Sequence, residues 1–268
     1  MFMQNAGFIW VPFIVVSAFM AWFGMNDLST AKASFAEQSV IFTRQHNWLM
    51  CVLYTGTFGS FIGYSAGFPL LMKTQFPEVN ALQFAFLGPL VGALSRSMTG
   101  WISDKWGGAR VTFWVFLLMI VGVSGVLYFL GARNFVGFFA MFMVLFFATG
   151  VGNASTFQMI PIILRQEMPH LMPQLDAAGR LKQAEKESAA IIGFTSAIAA
   201  YGAFFIPKSY GTSISMTGGP QAALWGFLAF YLSCIAITWW FYTRRGGLLR
   251  DIERRSTSAR APAVQPAE

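Results

Sequence analysis

One arginine in this sequence lies where a formal charge is expensive. Arg96 stands eight residues before Asp104, and residues 79–95 ahead of it carry no charge. At about 1.5 Å per helical residue, Arg96 falls roughly 12 Å inside the end of a helix. That is near the middle of a hydrocarbon core about 30 Å thick. A guanidinium there costs at least about 2.5 kcal/mol, so it calls for a partner, a water-filled cavity or an anionic ligand. Its planar fork suits planar or tetrahedral oxyanions through paired hydrogen bonds. Gly88, Gly92, Arg96 and Gly100 are each four residues from the next. Such residues share a helix face, and small residues let membrane helices approach closely. The row is expected to turn Arg96 into a bundle. Snorkelling to the interface is the alternative, and depth together with the glycine row favours an anion.

Other polar positions are spaced to join such a site. Tyr54 and Phe58, four apart, put a hydroxyl and a ring on one face of a segment whose glycines Gly59, Gly63 and Gly67 signal close packing. The stretch ATGVGNASTFQMIP places Asn153, Ser155, Thr156 and Gln158 in an otherwise apolar run. These residues bond neighbouring helices or line a polar path, and packing is the first expectation. The stretch GFTSAIAAYGAFFIP offers Gly193 and Gly202 as small residues and Thr195 and Ser196 as hydroxyls, with the same two readings. In the turn SDKWGGAR, Asp104 is expected to cap a helix start, and Gly107 and Gly108 to permit a tight reversal. Lys105 and Arg110 mark that side as basic. His46 and His170 read as solvated loop residues. There is no phosphate-binding glycine loop, no metal-ligand cluster and no catalytic triad, so no enzyme, no metal and no cofactor are expected.

The elements that position these residues follow from the charge map. Hydrophobic residues make up 56% of the 268 and charged residues 11%, about half the charged share usual in soluble domains. Long apolar runs between charged clusters give an all-α, polytopic membrane helical bundle. Seven spans are expected, near 7–25, 48–72, 80–103, 111–131, 136–164, 188–207 and 220–243. Residues 26–47 form a polar link, 165–187 a loop whose second half is a surface helix, and 211–220 a loop. Residues 244–268 form a basic, low-complexity tail, whose start can touch anionic lipid. No Asp or Glu falls within any expected span, so an in-membrane carboxylate partner for Arg96 is absent. The net charge of +7 sits in loops and tail, where it sets orientation and does not signal nucleic acid. Alternate connections hold 14 Lys and Arg against 3 on the other side. By the positive-inside rule the C-terminus is cytoplasmic and the N-terminus outside. The first 26 residues carry no formal charge, so they read as a membrane helix whose upstream context is absent, and not as a secretory signal.

The turn GWISDKWGGAR resembles the loop motif of the major facilitator superfamily. More specifically, YTGTFGSFIGYSAGFPLLMKTQFP, FLGPLVGALSRSMTGWISDKWGGARVTFW and GFTSAIAAYGAFFIPK resemble the nitrate/nitrite porters, the NarK-like branch, over residues 10–243. The resemblance implies that the spans are the sixth to twelfth helices of a twelve-helix carrier. Residues 1–25 would then close the first half, 26–47 form the central cytoplasmic link, and 48–243 form the six-helix second half. It further implies that Arg96 binds substrate, that Tyr54 and Phe58 stand beside the anion, and that Gly193–Lys208 is a glycine-rich nitrate signature with Ser196 as a polar contact. Asn153 is added to this set for its polarity. Gly59, Gly63, Gly88, Gly92, Gly193 and Gly202 are expected to serve packing, and Asp104, Gly107 and Arg110 the gating loop. Ala199 and Ala203 stand where the family often has glycine. The implied partners are nitrate, nitrite, membrane lipid and a missing N-terminal half of five helices, in the same or a separate chain. The implied location is the bacterial inner membrane, and the implied activity is alternating-access transport, by exchange or with proton coupling. A carrier of another oxyanion or organic anion, and a non-transporting subunit or remnant, stay open as alternatives.

Overall fold

The computed structural model describes residues 8–25 and 34–244. Residues 26–33 of the expected link and 245–268 of the basic tail lie outside them. The chain divides into two units, Met1–Ser39 and Val40–Glu268. In the first unit, helix α1 covers Trp10–Gly24, an apolar segment with every side chain exposed. A short α2, Phe35–Gln38, starts at Ser34, whose hydroxyl accepts from the Glu37 amide at 3.3 Å. Ser34 and Glu37 have the spacing of a capping box.

The second unit begins with one long rod built of three parts: α3 (Gln45–Tyr54), a π-helical segment (Thr55–Gly59) and α4 (Ser60–Gln75). Pro77 lacks the amide needed to carry the rod further. Helices α5 (Leu87–Met98) and α6 (Gly100–Trp106) follow, then α7 (Gly108–Gly131) and α8 (Phe135–Leu171). After them come α9 (Ala177–Ala200), α10 (Gly202–Thr217) and α11 (Gln221–Ile237), the last continuing as a π-helical Thr238–Thr243. No strand occurs among the described residues.

Local chemistry sets the breaks. Thr99 leaves helical geometry at φ −107° and ψ 3° while its hydroxyl bonds the Ser95 carbonyl, separating α5 from α6. Gly107, at φ 89°, separates α6 from α7 in a conformation that a side chain would strain. Asn134 and Asp176 cap α8 and α9 by accepting from the amides of Gly137 and Gly179. Gly218, at φ 81°, ends α10.

The core lies where α4, α7 and α8 meet. Phe68, Phe138, Phe142 and Phe146 are fully buried, and the rings of Phe68 and Phe142 stand 4.7 Å apart. Among the described residues, four segments are long and apolar enough to cross a membrane: Gly108–Gly131, Phe135–Leu171, Ala177–Thr217 and Gln221–Thr243. They make the described fold an all-α bundle with several helices able to span a membrane. The expected spans 7–25, 48–72 and 80–103 appear as a shorter helix, a π-interrupted rod and a helix broken at Thr99.

Several local expectations are corrected. Residues 165–171 are not loop, because α8 runs on to Leu171; the helix expected in the second half of 165–187 is the start of α9, at Ala177. At 37 residues α8 measures about 55 Å, well beyond the ~20 residues that span a bilayer. Its charged end and the charged start of α9 therefore continue as helix past the apolar zone. The expected loop 211–220 is helical through Thr217. Asp104 lies inside α6 and caps nothing, because the α7 start is set by Gly107.

Candidate functional site

Tyr54 closes α3 and is 2% exposed. Its phenol donates a 2.9 Å hydrogen bond to the side-chain oxygen of Asn153, on α8. The Asn153 residue is fully buried, and its amide nitrogen has no protein partner. Ser196, half-buried on α9, stands beside the same phenol, and Arg96 is close enough for its charge to act there. Phe58, on the π segment, stacks on Tyr54 with ring centroids 5.2 Å apart and planes 26° from parallel. The Arg96 guanidinium carbon lies 5.8 Å from the centre of the Phe58 ring. Residues from four elements thus converge: Tyr54 and Phe58 from the first rod, Arg96 from α5, Asn153 from α8 and Ser196 from α9.

The π segment gives this cluster its shape. The extra residue in its turn offsets the helix above Phe58 from the helix below it, a device common at functional sites. No residue type announces it, and only the cluster of Gly56, Thr57 and Gly59 hints at a backbone free to deviate. Arg96 itself is exposed, whereas Gly88, Gly92 and Ser95 are buried. The reason is angular. Each four-residue step overshoots a full turn by about 40°, so two steps carry Arg96 about 80° off the Gly88 line, while Ser95 stays near it. The glycine row therefore turns Arg96 to the edge of the packed face and not into it. Arg96 also lies in the last turn of α5, where the helix dipole favours a cation.

The other expected positions divide by what surrounds them. A methyl on Gly88 would overlap the Phe146 ring, and one on Gly92 would lie 2.5 Å from the Phe61 ring. The first rod crosses α9 and α10 so closely that a Gly202 methyl would overlap the Gly59 carbonyl oxygen. Gly63 meets the Gly202 carbonyl in the same crossing, with 2.6 Å to an added methyl. Ala199 is accommodated because Gly59 lies opposite it. Gly193 faces open space, with nothing within 4 Å of an added methyl. Asp104 and Arg110 are exposed around the Gly107 break, away from the Tyr54 cluster. The polar neighbours of Asn153 are spent on packing: Thr156 pairs with Thr57 at 3.0 Å and Ser155 with Thr112 at 2.8 Å.

A second polar cluster, not foreseen in the sequence, ties the charged helix ends. Arg44 makes a paired bond to Glu187 at 2.9 Å, and Gln183 adds a third. The Glu187 hydrogen bond raises Arg44 above its ordinary pKa, against the opposing pull of burial. His46 is not solvated: it bonds the Tyr242 phenol at 2.8 Å and Glu167 at 3.1 Å. The clue was the charge on both flanks of the expected 165–187 loop.

No family model matches the chain. Several characterised proteins are similar to it. The nitrate/nitrite transporter NarU of Salmonella typhimurium is 50% identical over 252 residues, covering 91% of this chain and 54% of that protein. The nitrate/nitrite transporter NarU of Escherichia coli is 47% identical over 251 residues, with coverage of 91% and 54%. The probable nitrate/nitrite antiporter NarK2 of Thermus thermophilus is 38% identical over 255 residues, covering 91% of this chain and 52% of its own length. The chain spans about half the length of these relatives.

Proposed function

We propose that this chain, which belongs to the nitrate/nitrite porter family of the major facilitator superfamily, forms one wall of the anion site through which nitrate and nitrite cross a membrane. The observation that carries the reading is the buried Asn153 amide, left without a partner beside Tyr54 and within the Arg96 cluster. A buried amide donor without a partner costs about 1–3 kcal/mol, and a bound oxyanion would recover it.

In this reading Arg96 binds two anion oxygens through its fork. The Asn153 amide and the Ser196 hydroxyl donate to the anion, and Tyr54 holds the Asn153 oxygen away from it. The stacked rings of Phe58 and Tyr54 offer a flat wall, which suits a trigonal planar anion better than a tetrahedral one. The glycine crossing at Gly59, Gly63 and Gly202 lets α9 and α10 slide on the first rod during alternating access. No covalent chemistry is assigned to any residue. Residues 48–243 would be the second six-helix half, 1–25 the last helix of the first half, and 26–47 the cytoplasmic link. The site would be completed by five further helices, in the same or a separate chain. The C-terminus would face the cytoplasm across a bacterial inner membrane, and the excess of Lys and Arg in 104–110, 165–187 and 244–268 supports that orientation.

The test is nitrate uptake into proteoliposomes by a chimera in which this chain replaces the matched portion of the Escherichia coli relative. Uptake that nitrite inhibits, and that sulfate and phosphate leave unchanged, is the expected result. Efficient inhibition by sulfate or phosphate would move the reading to a general oxyanion carrier.

A further inference from the structure

Helix α5 crosses α8 in close contact immediately beside Arg96. The buried Ser95 hydroxyl donates to two carbonyls, Gly92 in its own helix at 3.0 Å and Phe147 on α8 at 3.2 Å. Gly150, about one α8 turn beyond Phe147, is buried against the same stretch. A methyl on Gly150 would overlap the Ser95 hydroxyl oxygen and the Gly92 carbonyl oxygen, and would lie 3.1 Å from the Arg96 amide nitrogen. On the α5 side, a Gly92 methyl would stand 3.1 Å from the Phe146 carbonyl oxygen. The two helices therefore meet backbone to backbone at the turn that carries Arg96. Ser95 is held from both sides, because its carbonyl accepts from the Thr99 hydroxyl and amide where α5 ends. Asn153 follows Gly150 by three residues, about 4.5 Å along α8. One crossing thus places both the arginine and the amide of the anion site.

We infer that Ser95 and Gly150 are positioning residues for the anion. Gly150 sets how closely the Arg96 backbone approaches α8, and the Ser95–Phe147 bond stops α5 from sliding or turning on it. Neither touches the anion. What they fix is the separation between the Arg96 fork and the Asn153 amide. Paired hydrogen bonds to a small planar anion tolerate little displacement, and an error near 1 Å can cost about a hundredfold in function. Ordinary packing glycines differ in what surrounds them. Gly122 on α7 also lies under a neighbour, with the Leu145 side chain 2.7 Å from an added methyl, but a side-chain end can rotate away. At Gly150 the obstacles include a backbone carbonyl, so yielding there means moving α5 with Arg96 on it. The inference rests on the Arg96–Asn153 site proposed above.

Nitrate titration of the chimera described above tests this. Gly150→Ala should weaken nitrate affinity about tenfold or more, and Ser95→Ala should weaken it in the same direction by a smaller factor. Gly122→Ala is the packing control and should leave affinity unchanged. The readout that packing alone would not move is coupling to Arg96. In an Arg96→Lys background no fork remains to be aimed, so Gly150→Ala and Ser95→Ala should each add less than about a twofold loss. Circular dichroism checks folding, and if Gly150→Ala loses helix, Ser95→Ala carries the same cycle. Unchanged affinity in both single variants would overturn the inference, as would their full losses repeated in the Arg96→Lys background. If Arg96→Lys itself still weakened nitrate binding, the anion site would stand without its positioning pair. Affinity untouched by Arg96→Lys alone would instead remove the site, and this inference with it.

Discussion

The Tyr54 phenol donates to the side-chain oxygen of Asn153 at 2.9 Å, which fixes the amide's orientation and leaves its buried nitrogen with no protein partner. A donor held in place by one residue and unused by the rest of the chain is a preorganised contact for an acceptor. Replacing Asn153 with Asp separates the two roles, because Tyr54 keeps an acceptor while the anion loses a donor and meets a negative charge. A hydrogen bond to a charged group contributes about 1.5–3 kcal/mol. Nitrate affinity of the chimera should therefore fall at least about tenfold, with helix content close to the parent. Unchanged affinity, read by nitrate titration, would remove Asn153 from the site.

The glycines make a contrasting pair. A Gly202 methyl would overlap the backbone carbonyl of Gly59, an atom that cannot rotate away, whereas a Gly193 methyl would meet nothing within 4 Å. Overpacking costs about 1–3 kcal/mol, and Gly→Ala inside a helix gains roughly 0.5–1 kcal/mol when there is room. Gly202→Ala should lower the thermal midpoint in detergent, and Gly193→Ala should hold or raise it. The reverse order would show that the α10 crossing is looser than it stands here.

These two cases show how much was legible in the sequence. Arg96 declared itself by charge in an apolar run, Asn153 by polarity, and Tyr54, Phe58 and Ser196 through family resemblance; in the fold all five converge. What the sequence did not reveal is register. The π segment at Thr55–Gly59 is a change of hydrogen-bond partner with no residue signature, and the two-step drift that brings Arg96 to a helix edge needs the helix itself. The helical continuation through 165–171 was hidden for another reason. Charges that end a membrane span do not end a helix, and Glu187 and Glu167 find their partners Arg44 and His46 only in three dimensions.

That polar cluster gives a third prediction. Glu187 is 2% exposed and pairs with Arg44 through two bonds, while Glu185, two residues away, meets Arg165 in the open at 3.5 Å. Removing one partner of a buried pair costs about 3–5 kcal/mol, whereas an exposed pair contributes about 0–1 kcal/mol. Glu187→Ala should sharply lower the unfolding temperature and Glu185→Ala should barely move it, as monitored by intrinsic fluorescence. Similar effects from both would mean that the Arg44 contact does not hold the start of the first rod to α9.

The central claim is that Arg96 is a fork for an oxyanion and not merely a positive charge at a helix end. Lysine keeps the charge and the favourable dipole placement, and removes the paired geometry. Nitrate transport and affinity measured for Arg96→Lys in the chimera test this most directly. A loss of at least about tenfold, the scale of one charge-assisted hydrogen bond, is the predicted result, and wild-type transport and affinity with lysine at this position would contradict the account.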